Sequence, residues 1–322
     1  MALSALTTFS QLLLKIYGMA QTVPIAGFQN SALQATQMLL PFTSAMWGTA
    51  TMTDQGINIH TLHLHNTTMQ MIQEYESVKH LDHFAQETSA KEKATIRFSM
   101  EEARAQQLRD FLCKFGHLHG LITHSIDPQT RFTQWLSLFR NDANDVYTAS
   151  EAELLDSLFP HLMQALAINR KVYLECLIGD ESREKWTVAI ADRFGVLYHA
   201  DPGFIKVTQD DVGMPGHDRL PDSVLQAVTG GTLHLTGKQS VIVGSLENDL
   251  LFLKARLKVP ADMLSQREYT IAKMLAGGLS LKEIAQKLGR SPETIRTHGK
   301  SIYAKLGTNK VTQLPSLLSE RD

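Results

Sequence analysis

Cysteine is scarce in this sequence, with two residues among 322. Cys113 and Cys176 are far apart and have apolar neighbours in the sequence. They therefore predict neither a disulfide framework nor a cysteine-based metal site. This usage is typical of a reducing compartment, and we expect the protein in the cytoplasm.

Long apolar runs are also lacking. No run approaches the roughly 18 residues that a membrane-spanning helix needs, so no membrane partner is expected. The N-terminal leucines follow no basic stretch, which favours an amphipathic helix over a signal peptide. With 43% hydrophobic and 20% charged residues and no low-complexity tract, the chain should fold into two or three domains.

The marks of an enzyme are missing as well. We find no nucleophile and base at a recognisable spacing, and no glycine-rich loop that would hold a phosphate or a cofactor. Residues 1–120 also lack the acidic cluster and strand-ending aspartate of a phosphorylated receiver domain. Asp54 falls in a predicted hairpin turn. The sequence therefore indicates neither catalysis nor a cofactor.

Positive charge is concentrated near the C-terminus. Leu264–Lys310 holds nine Lys or Arg and three Glu, whereas the whole chain holds 31 Lys or Arg and 33 Asp or Glu. The rest of the chain is therefore acidic. A basic segment on an acidic protein is typical of a nucleic-acid contact.

Cap residues divide this segment into short helices. Ser265 and Ser280 are each followed by Glu three residues later, which makes a capping box. Ser291 precedes a proline suited to the first helical position. Glycines at 277, 278, 289 and 307 mark the helix ends. We predict helices at 266–276, 281–288 and 292–306, and a fourth beginning near Asn309 or Lys310.

These residues resemble the LuxR-type helix-turn-helix domain of bacterial transcription regulators. The matching pattern comprises L-S-x-R-E from Leu264, G-x-S-x-K-E-I-A from Gly278, S-P-x-T-I-x-x-H from Ser291 and K-L-G from Lys305. The resemblance implies that the helix after Ser291 lies in the DNA major groove. Where the family has Ser-Arg or a similar pair after K-L-G-x, this chain has Asn309-Lys310.

The resemblance also implies roles for individual side chains. Base contacts are expected from Arg296, Thr297 and Lys300, since Arg reads guanine well and Thr offers a hydroxyl and a methyl. Phosphate contacts, which set the register of binding, are expected from Lys282, Ser291, Thr294, His298, Lys305 and Lys310.

The N-terminal half shows helices, a β-hairpin, more helices, a second hairpin and a long helix. The hairpins are predicted at 44–65 and 117–139, and a capping box at Thr148 and Glu151 opens the long helix. This order, with the stretch Trp135–Ala165, resembles a GAF-type sensor domain. Leu155, Leu158, Leu162, Ala165, Asn169, Val172 and Cys176 follow heptad spacing.

That spacing leaves two interpretations open, a dimer helix and a core helix of a single domain. Pro160 argues against one unbroken helix. Farther on, strands are predicted at 186–191, 196–199, 231–235, 239–243 and 250–259, with a helix at 222–228. This region resembles a short PAS-like domain. Pro260 marks the linker to the basic segment.

A ligand pocket is predicted from the histidines of the first hairpin. Strand alternation places His63 and His65 on one face and His60 on the other. Together with Trp47 and Trp135, His63 and His65 would line an apolar pocket with a few polar groups. No Cys or acidic partner is spaced to complete a metal site, so none is expected.

The fold class is therefore α+β: GAF/PAS-like sensor domains with antiparallel sheets, followed by an all-α four-helix LuxR-type helix-turn-helix domain. We expect a GAF-like domain at 1–170, a PAS-like domain with its connecting helix at 171–260 and the DNA-binding domain at 261–322. The function expected is a ligand-responsive regulator that binds an inverted repeat in double-stranded DNA as a homodimer. One alternative is an N-terminal protein-interaction module in place of a small-molecule sensor. An acyl-homoserine lactone receptor is another, although the chain is longer than is usual for that type.

Overall fold

A computed structural model describes residues 5–53, 56–90, 95–127, 132–178, 185–213, 219–229, 234–247 and 249–321. The N-terminal part contains α1 (Ala5–Thr22), α2 (Ile25–Gln37), β1 (Ser44–Thr53), β2 (Gly56–His65), α3 (Met69–Val78), α4 (His83–Ala90), β3 (Ile96–Ser99), α5 (Gln106–Lys114), β4 (His119–Ile126), β5 (Thr133–Arg140) and α6 (Ala149–Ile178). Short 3-10 turns lie between α3 and α4, at Lys79–Leu81, and between β3 and α5, at Met100–Glu102.

The middle part contains β6 (Thr187–Asp192), β7 (Leu197–Ala200), α7 (Pro202–Val212), α8 (Asp222–Thr229), β8 (His234–Thr236), β9 (Ser240–Glu247) and β10 (Leu250–Leu257). After a 3-10 turn at Pro260–Met263 come α9 (Gln266–Ala276), α10 (Leu281–Leu288) and α11 (Pro292–Leu306). A 3-10 turn at Val311–Gln313 then leads into α12 (Leu314–Ser319). The predicted class, two antiparallel sheets followed by a helical domain, is confirmed.

The two sheets share one strand order. The first runs β2-β1-β5-β4-β3 and the second β7-β6-β10-β9-β8, and all of their strand pairs are antiparallel. If the strands of each sheet are numbered from 1 to 5 in chain order, both sheets have the order 2-1-5-4-3. We call the part of the chain that contains each sheet a unit. The chain thus contains two sheets of the same connectivity before the C-terminal helices. The first hairpin is confirmed, whereas the turn residues Asp54 and Pro128 lie outside the described part of the chain.

Helices cover both faces of the first sheet. On one face α1, α2 and α6 form a core with Trp47, Leu136 and Leu138. On the other, α3 and α5 pack against Phe98 and Phe139. A further apolar cluster joins α2 and α6 to the second sheet, so the long helix lies between the two units.

The long helix corrects one expectation and decides between the two interpretations of its heptad spacing. α6 runs unbroken through Pro160, whose exposed position lets water solvate the carbonyl that loses its hydrogen bond. Its heptad leucines are buried against α1 and α2 within one chain, so they are core residues. Asn169 is also buried, and its Nδ2 donates to the carbonyls of Ala20 at 3.1 Å and Val23 at 2.8 Å.

The helix crosses residue 170, and the domain limits at 170 and 260 stay predictions. The helix α7 was not predicted from the sequence. Both cysteines are free and exposed, although their sequence neighbours are apolar. No helix in the described ranges is both long enough and apolar enough to span a membrane.

Candidate DNA interface and ligand cavity

The helix-turn-helix forms as its caps predict. The hydroxyls of Ser265, Ser280 and Ser291 accept hydrogen bonds from the backbone N–H three residues on, and both predicted capping boxes are present. Gly289, at φ +60°, ends α10 in the left-handed conformation and turns the chain toward α11. The observed bounds of α9, α10 and α11 match the predicted ones.

The outer face of α11 is open to solvent. Arg296, Thr297 and Lys300 are exposed, while Ile295 and Ile302 on the opposite side are buried against α9 and α10. Arg296 lies 3.6 Å from the Glu293 carboxylate, and both side chains are mostly exposed. An ion pair of this kind contributes little, so the guanidinium can exchange it for another acceptor. The three predicted base contacts therefore lie together on one accessible face.

Most of the predicted phosphate contacts lie around that face. Lys282, Thr294 and Lys310 are exposed, and His298 is half-buried. The Ser291 hydroxyl caps α11 and shares a hydrogen bond with the Thr294 hydroxyl at 2.8 Å. Lys310 immediately precedes the 3-10 turn that leads into α12.

Lys305 has a different place. Its Nζ donates to Glu268 Oε2 at 2.6 Å, and the Ser301 hydroxyl donates to Glu268 Oε1 at 2.6 Å. The Glu268 side chain is 7% exposed and that of Lys305 34%. Burial alone would raise the pKa of Glu268, but the bonds from Lys305, Ser301 and Ser265 outweigh it and lower that pKa to about 2.

Lys305 thus ties α11 to α9, and this bond argues against the predicted contact with phosphate. The sequence marked Glu268 only as part of a capping box. Its second role was missed because its partners lie 33 and 37 residues farther along the chain.

The four side chains of the predicted ligand pocket do not line one cavity. Trp47 is buried in the core beneath α1, α2 and α6. His65 shares that face, and its Nδ1 lies 2.7 Å from Asn30 Oδ1. His63 pairs with Trp47 across the hairpin. Trp135 pairs with Gly48, next to Trp47 in sequence, and therefore projects from the opposite face.

His60 also departs from the expected face. The pairing of β1 with β2 shifts register at Thr49 and Ala50, which leaves His60 as the extra residue of a bulge. Its Nε2 lies 3.0 Å from the Thr51 hydroxyl, and its Nδ1 lies 2.6 Å from Asp192 Oδ2 in the second unit. His60 is thus an inter-domain contact.

A cavity of about 120 Å³ lies between the first sheet and α3 to α5. Its walls are mostly apolar and include Met71, Phe84 and Phe111. Three buried nitrogens on lining residues have no hydrogen-bond partner within the described ranges: His117 Nε2, His124 Nδ1 and Trp135 Nε1. Buried polar atoms are normally satisfied, so these three nitrogens are available to hydrogen-bond a molecule in the cavity.

The charge state of this cavity restricts what it can hold. Burial lowers the pKa of His117 to about 4 and lowers that of His124, so both rings are neutral at neutral pH. Burial raises the pKa of Asp82, which accepts a hydrogen bond from Tyr75 at 2.9 Å. The two neutral imidazoles and the apolar walls therefore suit an uncharged molecule with polar groups on an apolar body. The described ranges contain no group of three or more His, Cys, Asp or Glu placed to hold a metal ion.

Comparison with known proteins identifies the C-terminal domain. Residues 262–318 match the sequence model for bacterial regulatory proteins of the luxR family. The Fimbriae Z protein of Escherichia coli K12 is 48% identical over 52 residues, which are 16% of this chain and 25% of that protein. The transcriptional regulatory protein UhpA of the same organism is 42% identical over 53 residues, 16% of this chain and 27% of UhpA.

Residues 262–318 are therefore similar in sequence to the luxR family of bacterial regulatory proteins, and in the structure they form a helix-turn-helix. The chain spans about a quarter of the length of these curated relatives. Among solved structures, Escherichia coli SdiA aligns over 97% of both chains at 14% identity and a TM-score of 0.42. A TM-score below 0.5 does not establish a shared fold.

Proposed function

We propose that this protein is a transcription regulator that binds promoter DNA through α11 and responds to a small molecule held in the N-terminal domain. The observation that carries the proposal is the face of Arg296, Thr297 and Lys300 on a capped helix in a basic luxR-family domain. Exposed cations supply affinity for the DNA backbone, and side chains in the groove supply sequence preference.

The regulator acts as a homodimer on an inverted repeat. A single α11 covers only part of one turn of the duplex, and paired recognition helices bind half-sites about 34 Å apart. The test is selection from a library of genomic fragments by the full-length protein. Enrichment of a two-fold symmetric sequence is expected. If no fragment is retained over random competitor DNA, the proposal is wrong.

The effector site is the cavity beside His117, His124 and Trp135. An uncharged molecule there would accept or donate the hydrogen bonds that these nitrogens lack. Native mass spectrometry of the purified chain should show a bound small molecule. Ala85→Phe places an aromatic ring in the cavity from α4. This variant should no longer show the bound small molecule, and its non-specific DNA binding should be intact. An empty cavity together with a stable protein partner would instead favour the protein-interaction module.

A further inference from the structure

A second cavity lies between the two sheet-containing units. It has a volume of about 260 Å³ and is walled mainly by β1, β5, α6, β6 and β7. We call it the inter-domain cleft. Thr49 and Gln134 enter it from the first unit, Ile190 and Tyr198 from the second, and Arg170 from the helix between them. A neighbouring cavity shares Arg170 with it, so this side chain lies where the two meet.

Arg170 has a charge that few groups around it satisfy. Its Nε is buried and has no hydrogen-bond partner in the described ranges. The guanidinium lies over the ring of Tyr198, 5.4 Å from its centre. Burial lowers the pKa of this guanidinium, and the nearby Asp127 offsets part of that effect. Arg170 is half-buried, and a charge withdrawn from water is costly unless it is paired and hydrogen-bonded, so the site favours an anion.

The other polar groups of the cleft are partly committed to one another. The Thr49 hydroxyl lies 2.8 Å from that of Thr61 and 2.6 Å from that of Tyr198. Gln134 Nε2 donates to Asp127 Oδ2 at 2.9 Å. The remaining lining includes apolar side chains, among them Trp47, Leu166 and Leu174. The cleft thus combines the Arg170 guanidinium with a wall of both apolar and polar side chains, and Lys171 supplies a second cation.

We propose that the inter-domain cleft binds a small organic monocarboxylate, with its carboxylate on Arg170 and its apolar body against Trp47 and Leu166. A guanidinium offers paired donors that match a carboxylate. A phosphate dianion fits less well, because the Asp127 carboxylate lies nearby and Trp47 and Leu166 offer apolar surface that phosphate cannot use. Because both units line the cleft, such a ligand would contact both of them.

The test is calorimetric titration of the full-length protein with hexanoate and benzoate, their primary amides, and inorganic phosphate. At least one carboxylate should bind about tenfold or more tightly than its amide and than phosphate. Arg170→Gln should lower the affinity for that carboxylate by a similar factor. Lys15→Gln removes the same charge from an exposed position on α1 and should change nothing.

Two further variants distinguish binding in the cleft from binding in the effector cavity and from misfolding. Ala85→Phe acts in the effector cavity and should leave carboxylate binding unchanged, so failure of the proposed function and failure of this inference give different results. Arg170→Lys keeps the positive charge but loses the paired donors, so it should bind the carboxylate more weakly. This variant tests the inference even if Arg170→Gln does not fold. Equal binding of carboxylate and amide, preference for phosphate, or no binding at millimolar concentration would each overturn the inference.

Discussion

Replacing Lys305 by Ala separates a structural lysine from a DNA-contacting one. Its Nζ is 2.6 Å from Glu268 Oε2, and the pair ties α11 to α9. We expect Lys305→Ala to destabilise the C-terminal domain while leaving the salt dependence of DNA binding unchanged. Lys282→Ala is the matched control, because Lys282 is exposed on α10 and should lower the salt dependence without a comparable loss of stability.

The expected magnitude follows from the burial of the pair. Removing one partner of a fully buried ion pair costs about 3–5 kcal/mol, whereas exposed pairs are worth about 1 kcal/mol or less. Glu268 is nearly buried, but the Lys305 side chain is 34% exposed, so solvent screens part of the interaction. Ser301 and the Ser265 N–H remain bonded to the carboxylate after the substitution. We therefore expect a loss of about 1–2 kcal/mol.

Two measurements on the full-length protein test this expectation. Amide hydrogen exchange in α9 and α11 should accelerate about tenfold in Lys305→Ala, since about 1.4 kcal/mol corresponds to a factor of ten. Affinity for a random duplex should be titrated against salt concentration. Each lost phosphate contact lowers the slope of log affinity against log salt by about 0.9, so Lys282→Ala should show that change and Lys305→Ala should not.

The opposite pattern would refute the reasoning. If Lys305→Ala lowers the salt slope by about 0.9 and leaves exchange in α9 unchanged, Lys305 contacts phosphate and its bond to Glu268 is incidental.

Three other changes follow from particular contacts. The pKa of Glu268 falls from 4.5 to about 2 on folding. The ionised carboxylate should therefore stabilise the C-terminal domain fully above pH 4.5, and this stabilisation should be lost as the pH falls toward 2. Over that interval, amide hydrogen exchange in α9 should depend less on pH in Glu268→Gln than in the unmodified protein. Asn169→Leu should destabilise the protein by about 2 kcal/mol, because the carbonyls of Ala20 and Val23 lose their donor in a buried or partly buried place. The oligomeric state measured by sedimentation should not change. Arg296→Ala should weaken specific DNA binding by roughly 1–3 kcal/mol and relax preference at one base pair; uniform weakening across sequences would identify a phosphate contact instead.

Local chemistry made the C-terminal helices predictable. A capping box involves residues three apart, so Ser280 and Glu283 define a helix start without knowledge of the rest of the fold. The same reasoning found Thr148 and Glu151 at the start of α6. Gly289 likewise predicts a left-handed backbone conformation at its own position, and its φ is +60°.

Contacts distant in sequence were not predictable in this way. The bond between Glu268 and Lys305 depends on how α9 packs against α11, which no single helix pattern contains. Alternation misplaced His60 because one bulge changes the face of the residue at the bulge. Trp47 and Trp135 could not be assigned to opposite faces until the register of β1 and β5 was known.

The connection between α9 and the second sheet bears on how a ligand could control DNA binding. The outer face of α11 is already exposed in one copy of the chain, so uncovering it is not the step to be controlled. An effector changes affinity only through unequal binding to two arrangements of the protein. In the proposed dimer the arrangement that matters is the spacing of the two α11 helices, which must match the repeat of the duplex.

A rigid linker would transmit a movement of the second sheet to α11. Arg256, at the end of β10, holds Asp262 of the linker through two hydrogen bonds at 2.5 and 2.9 Å, and both side chains are buried. Arg256→Gln should loosen this connection and speed exchange in the Pro260–Met263 turn. We expect it to reduce the preference for two correctly spaced half-sites over one half-site while leaving single-half-site affinity unchanged. Retention of the full spacing preference, despite faster exchange in the turn, would show that the spacing is set elsewhere in the dimer.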